Sequence, residues 1–255
     1  MSQKDFCFCT LALGSKYRFF VKQLAQDLEV YSPGTMLVVY TDVPEDLKSQ
    51  GNILAVKHQQ EGILLCYHDK RLPIARALSE FRVAIFLDAD MRIIAPVPDN
   101  INWIPGITAG HQENLLEHIE KYTPEKLVCT RKLAPKLKLD LASTKYIGEC
   151  IFIVTRDGGT EKEFIQEWGK IGRYFELNKH HSGEGTVMGL AAAKVGWDVH
   201  REGWEAIRNV THHLGGASVQ NISTSWDNFK MRMGYHWRLN KGRLLALQDF
   251  DFYYR

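Results

Sequence analysis

Residues 83–93 read VAIFLDADMRI, and no other stretch restricts the fold so tightly. Five apolar residues, Val83 to Leu87, follow one another without a polar interruption. Such a run reads as a strand covered on both faces, the kind found in parallel sheets sandwiched between helices. Asp88 and Asp90 stand at its exit. In extended chain, positions i and i+2 point the same way, so both carboxylates are expected to converge while Ala89 faces elsewhere. Two like charges so close are costly unless something positive sits between them, and a hard divalent cation with oxygen ligands meets that need. The plainer reading is that both aspartates are solvated at a strand end or cap whatever follows.

The preceding residues supply the rest of a parallel sheet. Phe6–Leu11 reads as a first strand, and Gly14 and Ser15 open a helix whose apolar face recurs at Tyr17, Phe20, Val21, Leu24 and Leu28. Met36–Tyr40 reads as a second buried strand closing on Thr41 and Asp42, and Ile53–Val56 as a short third. A helix with Pro73 in its first turn and Ile74, Ala77, Leu78 and Phe81 at helical spacing then delivers the chain into the aspartate-tipped strand. Strands alternating with helices imply an α/β fold with a mainly parallel, Rossmann-like sheet. In such sheets ligands sit beyond the carboxyl ends of the strands, which places Thr10, Leu11, Thr41, Asp42 and the DAD segment along one rim.

The second half is less regular. Residues 111–145 are polar and lysine-rich and read as a surface helical excursion. Cys150–Val154 reads as a further strand. Thr160 and Glu163 have the spacing of a capping box for a helix with Phe164, Trp168, Ile171 and Phe175 inward. Another helix is expected from Ser182–Glu184 to a stop at Gly196. No repeat or linker interrupts the chain, so residues 1–255 read as one compact domain, with a regular first half over about 1–110 that carries the rim and a second half over about 111–255.

A formal net charge of +2 with no basic tail gives no nucleic-acid signature. The five cysteines (Cys7, Cys9, Cys66, Cys129, Cys150) lie mostly in apolar runs and read as core thiols of a reducing, cytoplasmic compartment. The first residues lack the apolar core of a signal peptide, and no run approaches the ~20 apolar residues of a membrane span. Sequons at Asn209 and Asn221 matter only in a secreted protein.

Carboxylates spaced DxD at a sheet's ligand edge suit a metal that grips a diphosphate, which makes a nucleotide carrying a leaving group the expected ligand. Lys70 and Arg71, just before the Pro73 helix, add positive charge beside a helix N-terminus, or are simply solvated in a turn. With CTLALGSKY, VVYTD, KRLPIARALSEFRVAIFLDADMRI and the late VTHHLGG, the chain resembles the metal-dependent glycosyltransferases of the GT-A fold. It is most similar to family 8, the glycogenin and bacterial galactosyltransferase type, with family 6 a looser relative. The likeness covers most of residues 5–95 and only islands thereafter.

That resemblance implies a UDP-sugar donor, with Thr10, Leu11, Tyr17, Asp42 and Ala89 around the nucleotide and the Tyr17 ring stacking on the base. It implies Asp88, Asp90 and His212 as ligands of Mn²⁺ (or Mg²⁺), and Glu184 facing the donor sugar, in a retaining transfer to a hydroxyl of a glycan, lipid or protein. Two departures stand out. Gly216, Ala217, Ser218 and Val219 replace the family's lysine-proline-tryptophan phosphate contact, and Gly148-Glu149 stands where an asparagine is expected. Inversion would need a general base, for which Glu184 and Glu149 are the candidates. Rival readings are a relative that binds nucleotide or glycan without turnover, and a haloacid dehalogenase-type phosphatase with Asp88 as nucleophile. The latter lacks its late acidic cluster. Residues 226–243 mix lysine and arginine with aromatics, which suits an acidic or glycan acceptor, a peripheral membrane contact, or plain packing. Oligomeric state is left open, a homo-oligomer included.

Overall fold

A computed structural model describes residues 4–215 and 225–255. The Gly216–Val219 departure and the Asn221 sequon lie outside the described residues. In chain order the elements are β1 (Phe6–Ala12), α1 (Ser15–Tyr31), β2 (Leu37–Thr41), β3 (Ile53–Lys57), α2 (Arg71–Glu80), β4 (Val83–Leu87), β5 (Met91–Ile93) and β6 (Gly106–Ala109). There follow α3 (Leu115–Tyr122), α4 (Leu127–Leu137), β7 (Ile151–Thr155), α5 (Thr160–Leu177), α6 (Glu184–Lys194), β8 (Val199–His200), α7 (Trp204–Arg208), β9 (Thr211–His213), α8 (Ser225–Ala246) and α9 (Phe250–Tyr254).

Seven strands form one sheet in the order β3-β2-β1-β4-β7-β6-β8. The run β3-β2-β1-β4 is parallel, β7 is antiparallel to both β4 and β6, and β8 is parallel to β6. This is an α/β sheet, mostly parallel, with helices on both faces. Alternation along β4 explains its unbroken apolar run. Val83, Ile85 and Leu87 pack with Val21, Leu24 and Leu28 of α1, while Ala84 and Phe86 pack with α2, α5 and α6 on the other side. Phe86 stacks on Phe152 of β7 with centroids 5.0 Å apart, and Phe152 meets Trp168 of α5. Burying both faces of the strand removes its side chains from water, about 1.5–3 kcal/mol for each of Val83, Ile85, Phe86 and Leu87.

Two local expectations are corrected. Residues 111–145 are not a surface excursion, because α3 and α4 bury Leu115, Ile119, Cys129, Leu133 and Leu137 in the same core as Phe86. Lysines on the outer faces of these helices hid that stripe in the sequence. The capping box at Thr160 does not form either. The cap of α5 is Gly159, in a left-handed conformation, and the Glu161 carboxylate accepts from the backbone N–H of Asp157 (2.8 Å) and Gly159 (3.0 Å). Cys7 and Cys9 are free and buried, as core thiols should be. Among the described residues no helix is long and apolar enough to cross a membrane.

Candidate active site

The chain leaves β4 in a tight turn, with the Met91 N–H donating to the Asp88 carbonyl (3.0 Å), and enters β5, which pairs antiparallel with β9. Asp88 and Asp90 therefore converge through a turn rather than through extended chain. They share a cavity of about 230 Å³ with Ala89, Leu11, Leu13, Tyr17, Cys66, Tyr67, Lys70 and His213. The cavity lies beyond the carboxyl ends of β1 and β4, where an open parallel sheet presents its ligands.

Lys70 is the buried cation of this site. Its ammonium lies 2.7 Å from Asp88 Oδ1 and 2.5 Å from Glu184 Oε1, and over the Phe86 ring at 5.3 Å. Burial disfavours its charge, yet Glu184 and Asp88 raise its pKa well above the ordinary lysine value. Burial pushes the Glu184 carboxyl up, but Lys70 outweighs it and holds Glu184 below the usual range. For Asp88 burial prevails over Lys70 and the net direction is upward. Asp90 is tied to the imidazole of His213 at 3.5 Å, close enough for ion pairing but long for a hydrogen bond.

Several sequence assignments move. The register pairs Met91 with His213 and Arg92 with His212, so the two histidines face opposite ways and His213, not His212, lines the cavity. Thr10 is fully buried within the sheet and does not line the cavity, whereas its neighbour Leu11 does. Asp42 is also absent from the lining. It accepts from the Gly14 N–H (3.1 Å) and from Arg18 (2.5 Å), contacts that lower its pKa despite burial and pin the β1–α1 loop. Arg71 is about 100° around the helix from Lys70. It pairs with Glu61 at 2.9 Å and lines a separate cavity with Glu176 and Arg238. Glu184 heads α6 behind Lys70 rather than in the cavity. Tyr17 keeps its place, 42% exposed in the first turn of α1 with its ring toward the site.

Other residues around the site carry little mark in the sequence, Glu149 alone standing out for chemistry, as a candidate base. Cys66 and Tyr67 sit in the turn before α2, within an apolar segment that carries no motif. Lys126 belongs to the lysine-rich stretch that reads as surface, but it is buried, and a Cβ on Gly183 would meet its ammonium. Glu149 accepts from the Tyr146 hydroxyl (3.1 Å) and the Gly185 N–H (2.8 Å), and burial together with Glu184 pushes its pKa up to about 7. It borders a second cavity of about 440 Å³ with Tyr146, Cys150, Trp204 and Arg208. The Lys70 ammonium reaches the Glu149 carbonyl (3.4 Å) and the Asp88 N–H donates to the Cys150 carbonyl (3.1 Å), which ties the wall of that cavity to the first.

The donor set fits a hard cation through its carboxylates. His213 Nδ1 accepts from the Gly215 N–H (2.9 Å), so in the neutral ring the proton sits on Nε2, facing Asp90. Placed so, His213 turns its Nε2 proton toward Asp90 across 3.5 Å and becomes a ligand only if that tautomer changes. Among the described residues no three His, Cys, Asp or Glu side chains gather as a metal cage. Oxygen ligands from Asp88 and Asp90, completed by ligand phosphates, suit Mg²⁺ as well as Mn²⁺.

No protein-family model matches the chain, and no curated protein is similar to it.

Proposed function

We propose that the chain is a metal-dependent glycosyltransferase that moves a sugar from a nucleotide diphosphate, UDP in the first instance, to an acceptor hydroxyl. One observation carries this reading. A carboxylate pair, a buried lysine and an exposed tyrosine ring meet in one cavity at the carboxyl edge of parallel strands. These are the parts a nucleoside diphosphate requires: a flat surface for the base and fixed charges for the pyrophosphate.

In the proposed reaction the bond between the sugar's anomeric carbon and the diphosphate oxygen breaks. A bond from the acceptor oxygen to that carbon forms, and the hydroxyl proton passes to the departing diphosphate oxygen. A divalent cation held by Asp88 and Asp90 would neutralise phosphate oxygens and stabilise the departing charge. Tyr17 stacks on the base, and Leu11 and Ala89 border the nucleoside. Lys70, positioned by Glu184, presents its ammonium to the leaving group. This arrangement makes Glu184 a positioning residue. Retention is the outcome that the likeness to families 6 and 8 implies. The second cavity, with Trp204 and Glu149 on its wall, is the place for the acceptor.

The test is release of nucleotide diphosphate from a panel of nucleotide sugars with Mn²⁺, Mg²⁺ or EDTA. Release that requires the metal and is lost in Asp88→Asn and Asp90→Asn supports the reading; release indifferent to metal and to both substitutions counts against it. Metal-dependent nucleotide binding without turnover for any donor and acceptor pair would instead indicate a binding relative.

A further inference from the structure

Helix α8 presents a water-facing apolar stripe that the proposed reaction does not use. Trp226, Phe229, Met233, Trp237 and Leu244 are all more than half exposed, Trp237 by 73%. At 100° per residue they fall within an arc of about 80° on one side of the helix, over a length of ~27 Å. The helix is held by its other side. Ala246 is fully buried, Arg238 Nε donates to the Ile63 carbonyl (3.1 Å), and Gly242 lies against Ile63 and Leu177.

Charge selects what covers the stripe. Lys230 and Lys241 flank it on one side, Arg232 and Arg243 on the other, and the sequence of α8 holds a single acid, Asp227, next to Trp226 in the chain. A second copy of this helix would bring basic rims together, four cations a copy against the one acid Asp227. An apolar ridge standing out from the body suits a plane better than a groove, and tryptophan with flanking Lys and Arg is the composition of helices that lie in a bilayer interface.

We propose that this face of α8 docks on an anionic lipid surface, the helix axis parallel to the membrane, the apolar stripe in the headgroup–acyl boundary and the four cations on lipid phosphates. The inference rests on the surface of α8 alone and does not depend on the glycosyltransferase reading.

The experiment is flotation of the full chain with phosphatidylcholine vesicles, pure or containing about one third phosphatidylglycerol, at low and high salt. The intact protein binds the anionic vesicles and is weakened by salt. Trp237→Ser with Met233→Gln lowers the affinity at least ~10-fold, and Lys230→Gln with Arg243→Gln removes the preference for anionic over neutral lipid. All four side chains lie outside the core, so the thermal midpoint stays that of the parent and a folding defect is recognised directly. Absence of the intact protein from floated anionic vesicles, or unchanged binding in both double variants, overturns the proposal. So does self-association that Trp237→Ser abolishes in a protein that ignores vesicles.

Discussion

Lys70→Met tests the electrostatics of the site most sharply, because the substitution keeps an apolar stem and deletes the charge. The Lys70 ammonium lies 2.7 Å from Asp88 and 2.5 Å from Glu184, whose side chain is only 3% exposed. Without it two largely buried carboxylates face each other unpaired. Removing one partner of a buried ion pair costs about 3–5 kcal/mol, a large share of the ~5–15 kcal/mol that holds a domain folded. The pH dependence has a definite sign. In the parent, Lys70 holds Glu184 below its ordinary pKa. That stabilisation is present above the unfolded value and lost as pH falls through the folded one. In the variant, burial and the mutual repulsion of Asp88 and Glu184 prevail and raise both carboxyls, so the penalty is full at pH above their folded values and shrinks on acidification as they take up protons. Urea unfolding at pH 5 and pH 8 measures this. The deficit is expected to be larger at pH 8, and Lys70→Met with Glu184→Gln should recover at least half of it. A deficit below about 1 kcal/mol at pH 8, or one that does not change with pH, would refute the electrostatic account of Lys70.

Three further outcomes are expected. Gly110→Ala places a Cβ well inside contact distance of the Trp204 ring, so the indole must shift, at a cost of about 1–3 kcal/mol read as a lowered thermal midpoint. Asp27→Ala removes the carboxylate that accepts from Arg92 Nε (2.6 Å), Arg92 Nη2 (2.7 Å) and the Ile93 N–H (3.1 Å), untying α1 from β5. About 2–3 kcal/mol of stability should be lost in denaturant titration. Glu176 is buried beside the Ile63 N–H with its pKa raised to about 7, so stability should fall as pH rises from about 4.5 to 7. Glu176→Gln should flatten that decline, seen as a gap between variant and parent that widens up to pH 7 and is constant beyond.

Much of the sheet was legible because burial on both faces forces unbroken apolar runs. The strands β1, β2 and β4 announce themselves this way, and the inward faces of α1 and α5 by their helical spacing. β6, β8 and β9 are short, contain Gly, Thr or His, and owe their conformation to their pairing partners, which periodicity does not reveal. The same reason hides part of the site. His213 rather than His212 lines the cavity because β5 and β9 pair in one register and not the next, and a one-residue slip would exchange them. Asp42 read as a ligand residue because its partner Arg18 is distant in sequence. Arg71 and Lys70 are neighbours that helical phase sends to different cavities. Asp88 and Asp90 were legible because two carboxylates that close an unbroken apolar run mark the point where a doubly buried strand leaves the core.

The central claim is that Asp88 and Asp90 hold a divalent cation against a nucleoside diphosphate, and calorimetric titration of UDP with Mn²⁺ or with EDTA tests it most directly. The account predicts binding that requires the metal and weakens at least ~10-fold in Asp90→Asn, about 1.4 kcal/mol, while Asp42→Asn binds as the parent does. UDP binding of equal strength in EDTA, or unchanged by Asp90→Asn, would contradict it.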